Sequence, residues 1–475
     1  MSAKKIVLNT LLQSAGKLIS LFIGFASVLL LTRYLKEEGF GEYTTVITYM
    51  GFFGILADLG LYLVTTQLIS QKGADEDKIL GNIFSLRIIS VLLALLLGAV
   101  LALAFPYSIQ VKTAMFVAII NFAFVSATQV LVGVFQKHLV FYKLIGSEIV
   151  GRLVALGATA WFISRGLGLI FFIAALTLAS VVHFFISFAL ARRLSPFRLK
   201  IDLTYWKFIL SRSWPLAFSV VLNLIYFRAD TLILSLLKPA AEVGIYGAAY
   251  KIFEVLLNFP AMFAGLIMPF LARFAYQEWA TYRLYLQRSL DAILLVVIPV
   301  MTVVLFFAGQ IIDVVAGEGF HNSDKVLMIL IFAAGITFVG NLLGYTVVAL
   351  NVQKKMVWGY FSGTLLGLVL YFLLIPRYSY FGAATATVVV ELLVCVWAYR
   401  LTSQVANFFP SFQILPKALL AVLPAVALFH FVPGFWVVKL FGGVLSYGIC
   451  LVLLKAVPYR FLHELVVRKD ADDAG

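Results

Sequence analysis

Charge is the first thing this chain has little of. Asp, Glu, Lys and Arg make up 12% of its 475 residues, whereas 63% are hydrophobic. A soluble domain carries about one quarter charged residues, so a water-exposed surface cannot be built from this composition. Cysteine is nearly absent. Cys395 and Cys450 both fall in apolar runs, which leaves no disulfide framework and no indication of redox compartment. The histidines, His138, His183, His321, His430 and His463, are scattered. No His-Glu-x-x-His and no paired Cys-x-x-Cys occurs, so the familiar zinc patterns are missing. No GxxxxGK[ST] loop is present, which speaks against ATP hydrolysis by the chain itself. No connection much exceeds roughly 15 residues, which leaves no soluble catalytic domain. Strict apolar/polar alternation, the mark of a membrane barrel, is missing as well.

What is present is a series of apolar runs of roughly 20 residues, the length that crosses a hydrocarbon core about 30 Å thick. In lipid the backbone must satisfy its own hydrogen bonds, so the runs read as helices. Fourteen are expected: 9–34, 42–70, 79–105, 111–136, 141–164 and 168–192; then 205–237, 243–272, 282–309, 326–351, 355–375 and 382–401; and finally 412–431 and 435–455. The first run is too long for a signal-peptide core and lacks a small-residue cleavage site, so it reads as a retained helix. The polar tail 468–475 reads as disordered.

Orientation follows from basic residues. With the N-terminus cytoplasmic, about 23 Lys and Arg flank the cytoplasmic side and about 8 the other, a strong positive-inside bias. Both termini are then cytoplasmic in a multi-pass protein of the cell membrane. The net charge of +14 is accounted for by this topology and by contact with anionic lipid. No basic-aromatic groove accompanies it, so nucleic acid is not an expected partner.

Two segments resemble each other. Tyr34-Leu-Lys-Glu-Glu-Gly-Phe-Gly-Glu-Tyr43 joins the first and second runs, and Leu236-Leu-Lys-Pro-Ala-Ala-Glu-Val-Gly-Ile-Tyr246 joins the seventh and eighth. Gln136-Lys137 with Gly146 likewise parallels Gln353-Lys354 with Gly363. The chain therefore reads as two parallel repeats of six helices, a common transporter plan. Residues 1–194 form one lobe, 195–204 a cytoplasmic linker and 205–403 the second lobe. An extra helix pair (404–467) and the cytoplasmic tail (468–475) follow. The stretch Leu199-Lys-Ile-Asp-Leu-Thr-Tyr-Trp206 is amphipathic and is expected on the cytoplasmic surface.

Charge inside the spans is costly, about 2.5–3.5 kcal/mol per group on insertion scales. Lys17, Asp58, Arg87, Glu148, Arg152, Arg228, Asp230, Lys251, Glu254 and Glu391 all lie there. They must pair, snorkel or border water. Glu148 with Arg152 (i,i+4) and Lys251 with Glu254 (i,i+3) read either as self-neutralising structural pairs or as cavity-lining groups. Arg87, near its helix start, reads as snorkelling. Arg228 and Asp230, two residues apart, point to different sides of a helix. Arg228 is the leading candidate for a cavity cation, then Lys17, with Arg152 and Lys251 as further candidates. Asp58, in Leu56-Ala-Asp-Leu-Gly60, and Glu391 read either as proton- or sodium-coupling acids or as hydrogen-bonded structural acids. Asp230 and Glu254 are the remaining acids considered for that coupling role. No cofactor is expected beyond such an ion.

Scaffold features complete the reading. Gly359, Gly363 and Gly367 recur every four residues and favour close helix approach. Pro215, Pro260, Pro269 and Pro299 are static kinks or bending points. The segment 311–320 is expected to form a short interfacial helix.

Four stretches together resemble the polysaccharide transporter family of the multidrug/oligosaccharidyl-lipid/polysaccharide exporter superfamily. They are Leu31–Tyr43 with Leu56–Gly60, Arg228–Ser235 with Val243–Lys251, Ile311–Phe320, and Ile375–Thr385. Ser379 departs from the pattern, since relatives often have glycine there. The resemblance implies an all-α protein with its two six-helix lobes forming a V around a central cavity. It implies a flippase that carries polyprenyl-(pyro)phosphate-linked oligosaccharide outward by alternating access, for surface polysaccharide biosynthesis. Cavity cations would attract the phosphate, and the extra helix pair could hold the lipid tail. A monomer working beside a glycan polymerase and glycosyltransferases of the same pathway is expected. Two other readings compete. A multidrug-type antiporter would carry an acid in its first or tenth helix, and runs 9–34 and 326–351 have none. A membrane glycan polymerase or ligase would carry a large outer loop, which is lacking. The chain thus reads as a transporter rather than an enzyme.

Overall fold

The computed structural model describes residues 3–456 apart from Leu59 and Lys72, together with most of their side chains. The tail 468–475 lies outside the described residues. Among the described residues thirteen helices follow one another: α1 Ala3–Leu56, α2 Leu61–Ile69, α3 Glu76–Ala102, α4 Ile109–Lys137, α5 Phe141–Ser164, α6 Leu169–Leu194 and α7 Leu203–Leu237. They continue with α8 Ala240–Gln277, α9 Trp279–Val315, α10 Ser323–Ala349, α11 Gln353–Ala406, α12 Ile414–Phe431 and α13 Trp436–Leu453. Twelve continuous stretches among the described residues are long and apolar enough to cross a membrane.

Two of those stretches are double. α1 and α11 each hold 54 residues, which as a straight helix would run about 80 Å, far more than one crossing. Each is divided at a residue with left-handed φ: Lys36 (φ 55°) in α1 and Ser379 (φ 52°) in α11. Counting the halves separately gives about fourteen spans, as the hydropathy pattern predicts, and the chain is a multi-pass membrane protein. The second expected span, 42–70, is interrupted by a turn between α1 and α2.

Local chemistry fixes the helix ends. Asp75 accepts from the Lys78 amide, Ser108 from Val111 and Asp202 from Tyr205, opening α3, α4 and α7. Each satisfies an orphan N–H of a first turn. Lys137 closes α4, and Arg192 with Arg193 closes α6, where the helix dipole favours cations.

By packing, the chain divides into two compact units. The first runs to Ala248 and adds Val314–His321 and Gly367–Ala383. Its core gathers Leu61, Ile83, Leu131 and Phe135 with the rings of Phe84, Phe184 and Phe197. In lipid such contacts gain little hydrophobic energy, because the tails are equally apolar; close van der Waals fit holds the helices instead. The tightest fit lies between the two similar junctions. A Cβ on Gly41 would strike the carbonyl oxygen of Ala240, and one on Gly244 would strike that of Glu37. With Tyr43 matched to Tyr246, these clashes are mirror equivalents, so the resembling motifs meet face to face.

Hydrogen bonds repeat the exchange. Thr32 donates to the carbonyl of Val315 at 2.8 Å. Ser235, its counterpart at the same offset, receives the Tyr107 hydroxyl at 3.1 Å while donating to Leu232 at 2.8 Å. Lys238 donates to the Pro376 carbonyl at 3.0 Å, and Ser379 donates to Glu242. The departure from glycine at Ser379 therefore supplies a hydroxyl that holds the turn.

The second unit comprises Ala249–Asp313, Asn322–Leu366 and the described chain from Ala384. Here α12 and α13 pack on α9 through Phe307, Ala421, Phe429 and Tyr447, and the Tyr447 hydroxyl donates to Leu295 at 2.8 Å. The connector before α12 is clamped by Gln287, which both donates to and accepts from Ser411 at 2.8 and 2.7 Å. The outer flank of α13 presents Val438, Phe441, Leu445 and Leu453, all exposed, as a lipid-facing surface does.

One local expectation is corrected. Residues 311–320 form no separate interfacial helix: α9 ends at Val315, and Gly317 (φ 82°) and Gly319 (φ 120°) turn the chain. The linker stretch runs without helix as far as Leu203, where α7 begins. Its backbone is extended and tied to α3, with Arg198 N–H donating to Asp77 at 2.7 Å and Asp202 N–H to Asn82 at 2.8 Å. Its amphipathic character is a two-residue alternation that leaves Leu199, Ile201 and Leu203 exposed.

Candidate functional site

Helices α1 and α5 pack together and bring three intramembrane charges to one place. Lys17 and Ser20 stand one turn apart on α1, and Glu148 and Arg152 one turn apart on α5. Lys17 Nζ lies 3.3 Å from both oxygens of Glu148. Arg152 donates from Nε and Nη2 to Glu148 Oε1, again at 3.3 Å. The buried Ser20 hydroxyl donates to the same oxygen at 2.7 Å. Two cations thus share one carboxylate, and the cluster keeps a net positive charge. The cations are also only half covered by protein: the side chains of Lys17 and Arg152 are 48% and 41% exposed. Beside them, Ser147 bridges His183 at 3.1 Å and Ser187 at 2.7 Å, tying α5 to α6.

A second group is built in the opposite way. Arg87 is fully buried. It donates from Nη1 to Asp58 and from Nη2 to Gln129 at 2.9 Å. Asp58 sits in the turn that interrupts the second span, so α3 and α4 hold that break through one guanidinium. The expectation that Arg87 snorkels is overturned: it lies more than two turns inside α3, with an acid and an amide in reach. Asp58, considered for ion coupling, is that acid.

The remaining candidates are distributed. Asp230 is buried on α7 and accepts from the Tyr246 hydroxyl at 2.6 Å and from the Thr231 amide at 2.5 Å. Arg228 is half-buried on the same helix. In the second unit Lys251 and Glu254 pair at 2.8 Å along α8. Glu391 is buried and accepts from Thr337 at 2.9 Å, bringing α10 against the second half of α11. Among the described residues no group of three or more His, Cys, Asp or Glu is placed to hold a metal ion.

Sequence reasoning treated Glu148 as a local partner of Arg152 and missed Lys17 and Ser20 as its other donors. It also missed Gln129. A polar amide inside a span beside an intramembrane arginine was the available signal, since such charges find partners on neighbouring helices.

Comparison with known proteins places this architecture. The chain is 24% identical over 367 residues to the "Probable low-salt glycan biosynthesis flippase" of Haloferax volcanii, covering 76% of each chain. It is 22% identical over 422 residues to the "Putative O-antigen transporter" of Shigella flexneri, covering 83% of this chain and 97% of that one. Among solved structures, the lipid II flippase MurJ in an inward closed conformation superposes with a TM-score of 0.75 at 14% identity, over 96% of this chain and 99% of that one. An inward-facing multidrug resistance MATE transporter gives 0.66 at 13% identity, over 82% and 96%. Those two likenesses establish the fold. The family model described as polysaccharide biosynthesis protein matches residues 6–275, more than half of the chain, and the protein belongs to that family.

Proposed function

We propose that this protein is a flippase that moves polyprenyl-(pyro)phosphate-linked oligosaccharide across the cytoplasmic membrane for surface polysaccharide biosynthesis. Family membership supports the pathway, and the names of the two relatives support the cargo class. The observation that carries the reading is the Lys17–Glu148–Arg152 cluster, a partly exposed net cation inside the spans. A phosphate or sugar cannot cross hydrocarbon alone, since each unmet polar group costs several kcal/mol. A membrane path that supplies positive charge lowers that cost, and low-dielectric walls strengthen its attraction for an anion. The polyprenyl tail needs no such path and stays in the bilayer.

In this reading the two six-helix lobes alternate access, with both termini cytoplasmic as the distribution of Lys and Arg favours. Lys17 and Arg152 receive the phosphate, with Arg228 and Lys251 as further cations. Proton or sodium coupling would fall to an acid such as Glu391. The chain acts as a monomer beside the polymerase and glycosyltransferases of its pathway.

The test is flipping of defined polyprenyl-pyrophosphate glycans in proteoliposomes, with and without a proton or sodium gradient. Movement of at least one glycan is expected. No movement of any, together with ion-driven export of a drug, would hand the chain to the multidrug branch. Arg228→Ala is expected to abolish flipping while the protein still inserts; wild-type flux would remove Arg228 from the path.

A further inference from the structure

The Lys17–Glu148–Arg152 cluster has an internal asymmetry. All contacts of the carboxylate with its two cations are long, 3.3 Å, and Arg152 uses a single carboxylate oxygen rather than a parallel two-oxygen fork. Charge-assisted bonds in a settled pair are nearer 2.7–2.9 Å. The one short bond, 2.7 Å, comes from the buried, neutral Ser20. Glu148 is thus anchored by a hydroxyl on a packed helix and only loosely engaged by two half-exposed cations. Arg152 is also laid across α1 at Gly24, where a Cβ would strike its Nη1; the bare backbone there leaves the guanidinium room to swing.

From this we infer that Glu148 is an internal counter-anion, which occupies Lys17 and Arg152 in the empty protein and is displaced from them by the phosphate of the cargo. The inference rests on the reading of those cations as the phosphate site. Without an anion the cations would stand uncompensated inside the spans, and Glu148 removes that penalty. When a diphosphate arrives, Lys17 and Arg152 exchange one carboxylate for a group of higher charge, while Ser20 retains the freed carboxylate on the α1–α5 seam. Competition of this kind weakens ground-state binding and speeds release, which suits a carrier that must let go on the far side. Glu148 is a positioning residue: it acts on the cargo through the two cations.

The experiment measures binding of geranyl diphosphate and of inorganic pyrophosphate to the full chain in phosphatidylcholine nanodiscs, alongside flipping rates. Glu148→Gln removes the competitor and keeps the shape. It is expected to bind diphosphate about tenfold tighter, a change of about 1.4 kcal/mol, with KM and turnover both lower. Glu148→Asp, whose shorter carboxylate reaches the cations less well, is expected to fall between wild type and Glu148→Gln, and it serves if the glutamine variant does not fold. Equal or weaker diphosphate binding by either folded variant overturns the inference while leaving the cationic site standing. Failure of wild type and Glu148→Gln alike to bind any diphosphate overturns the phosphate site itself.

Discussion

Two ion clusters sit in one compact unit and differ in nearly every physical respect. In the Asp58–Arg87–Gln129 group the arginine side chain is 2% exposed; in the Lys17–Glu148–Arg152 group the cations are 48% and 41% exposed. The first balances one charge with one, and fastens the break in the second span to α3 and α4. The second leaves a positive charge uncompensated and open. On the proposed reading, intramembrane charge divides into scaffold and site, and the burial of the cation separates them better than the presence of a partner does, because both groups have partners.

The largest expected effect tests the scaffold side. Arg87→Ala or Asp58→Ala strands a buried charge and should cost about 3–5 kcal/mol, read as a large drop in unfolding midpoint in detergent. Replacing both, Arg87→Met with Asp58→Leu, should recover most of that stability, because no lone charge remains. Full stability in the single variants would erase the distinction between the clusters. A transport defect that persists in the stable double variant would move Asp58 into the coupling role its sequence context also allows.

The site side should respond the other way. Lys17→Ala and Arg152→Ala remove exposed partners, so stability should shift by no more than about 1 kcal/mol. Diphosphate binding should fall, and the wild-type affinity should weaken with salt, since charges this accessible are screened within about 10 Å at 0.1 M ionic strength. A stability loss as large as that of Arg87→Ala would make this cluster scaffold too.

Much of this was legible in the sequence. The spans were, because lipid demands apolar runs of fixed length. The resemblance of 34–43 to 236–246 was also visible, but its physical reason was not. Gly41 and Gly244 are small because each backbone closes on the other's junction, a contact between segments some 200 residues apart. Charge partners followed the same rule. The i,i+4 and i,i+3 pairs, Glu148 with Arg152 and Lys251 with Glu254, could be read locally. Lys17 with Glu148 and Arg87 with Asp58 depend on which helices touch. Segment 311–320 was expected to form a short interfacial helix, but two glycines at positive φ turn it instead.

The smallest expected effect calibrates the comparison with a contact that carries no charge. Tyr107 donates to Ser235 at 3.1 Å in the loop before α4. Burial pushes its phenol up to about 12, so the hydroxyl stays protonated and neutral throughout the usable range. Tyr107→Phe removes one neutral hydrogen bond and should cost about 0.5–1.5 kcal/mol, less than the Arg87 variants. Because the folded-state value is raised and lies far above pH 9, the group binds the same proton folded or unfolded between pH 5 and 9, and the cost should be flat over that window. Thermal unfolding of wild type and Tyr107→Phe at pH 5, 7 and 9 reads this directly. A difference that grew toward pH 9 would mean the phenol ionises there, and the contact would no longer serve as the neutral reference against which the two charged clusters are measured.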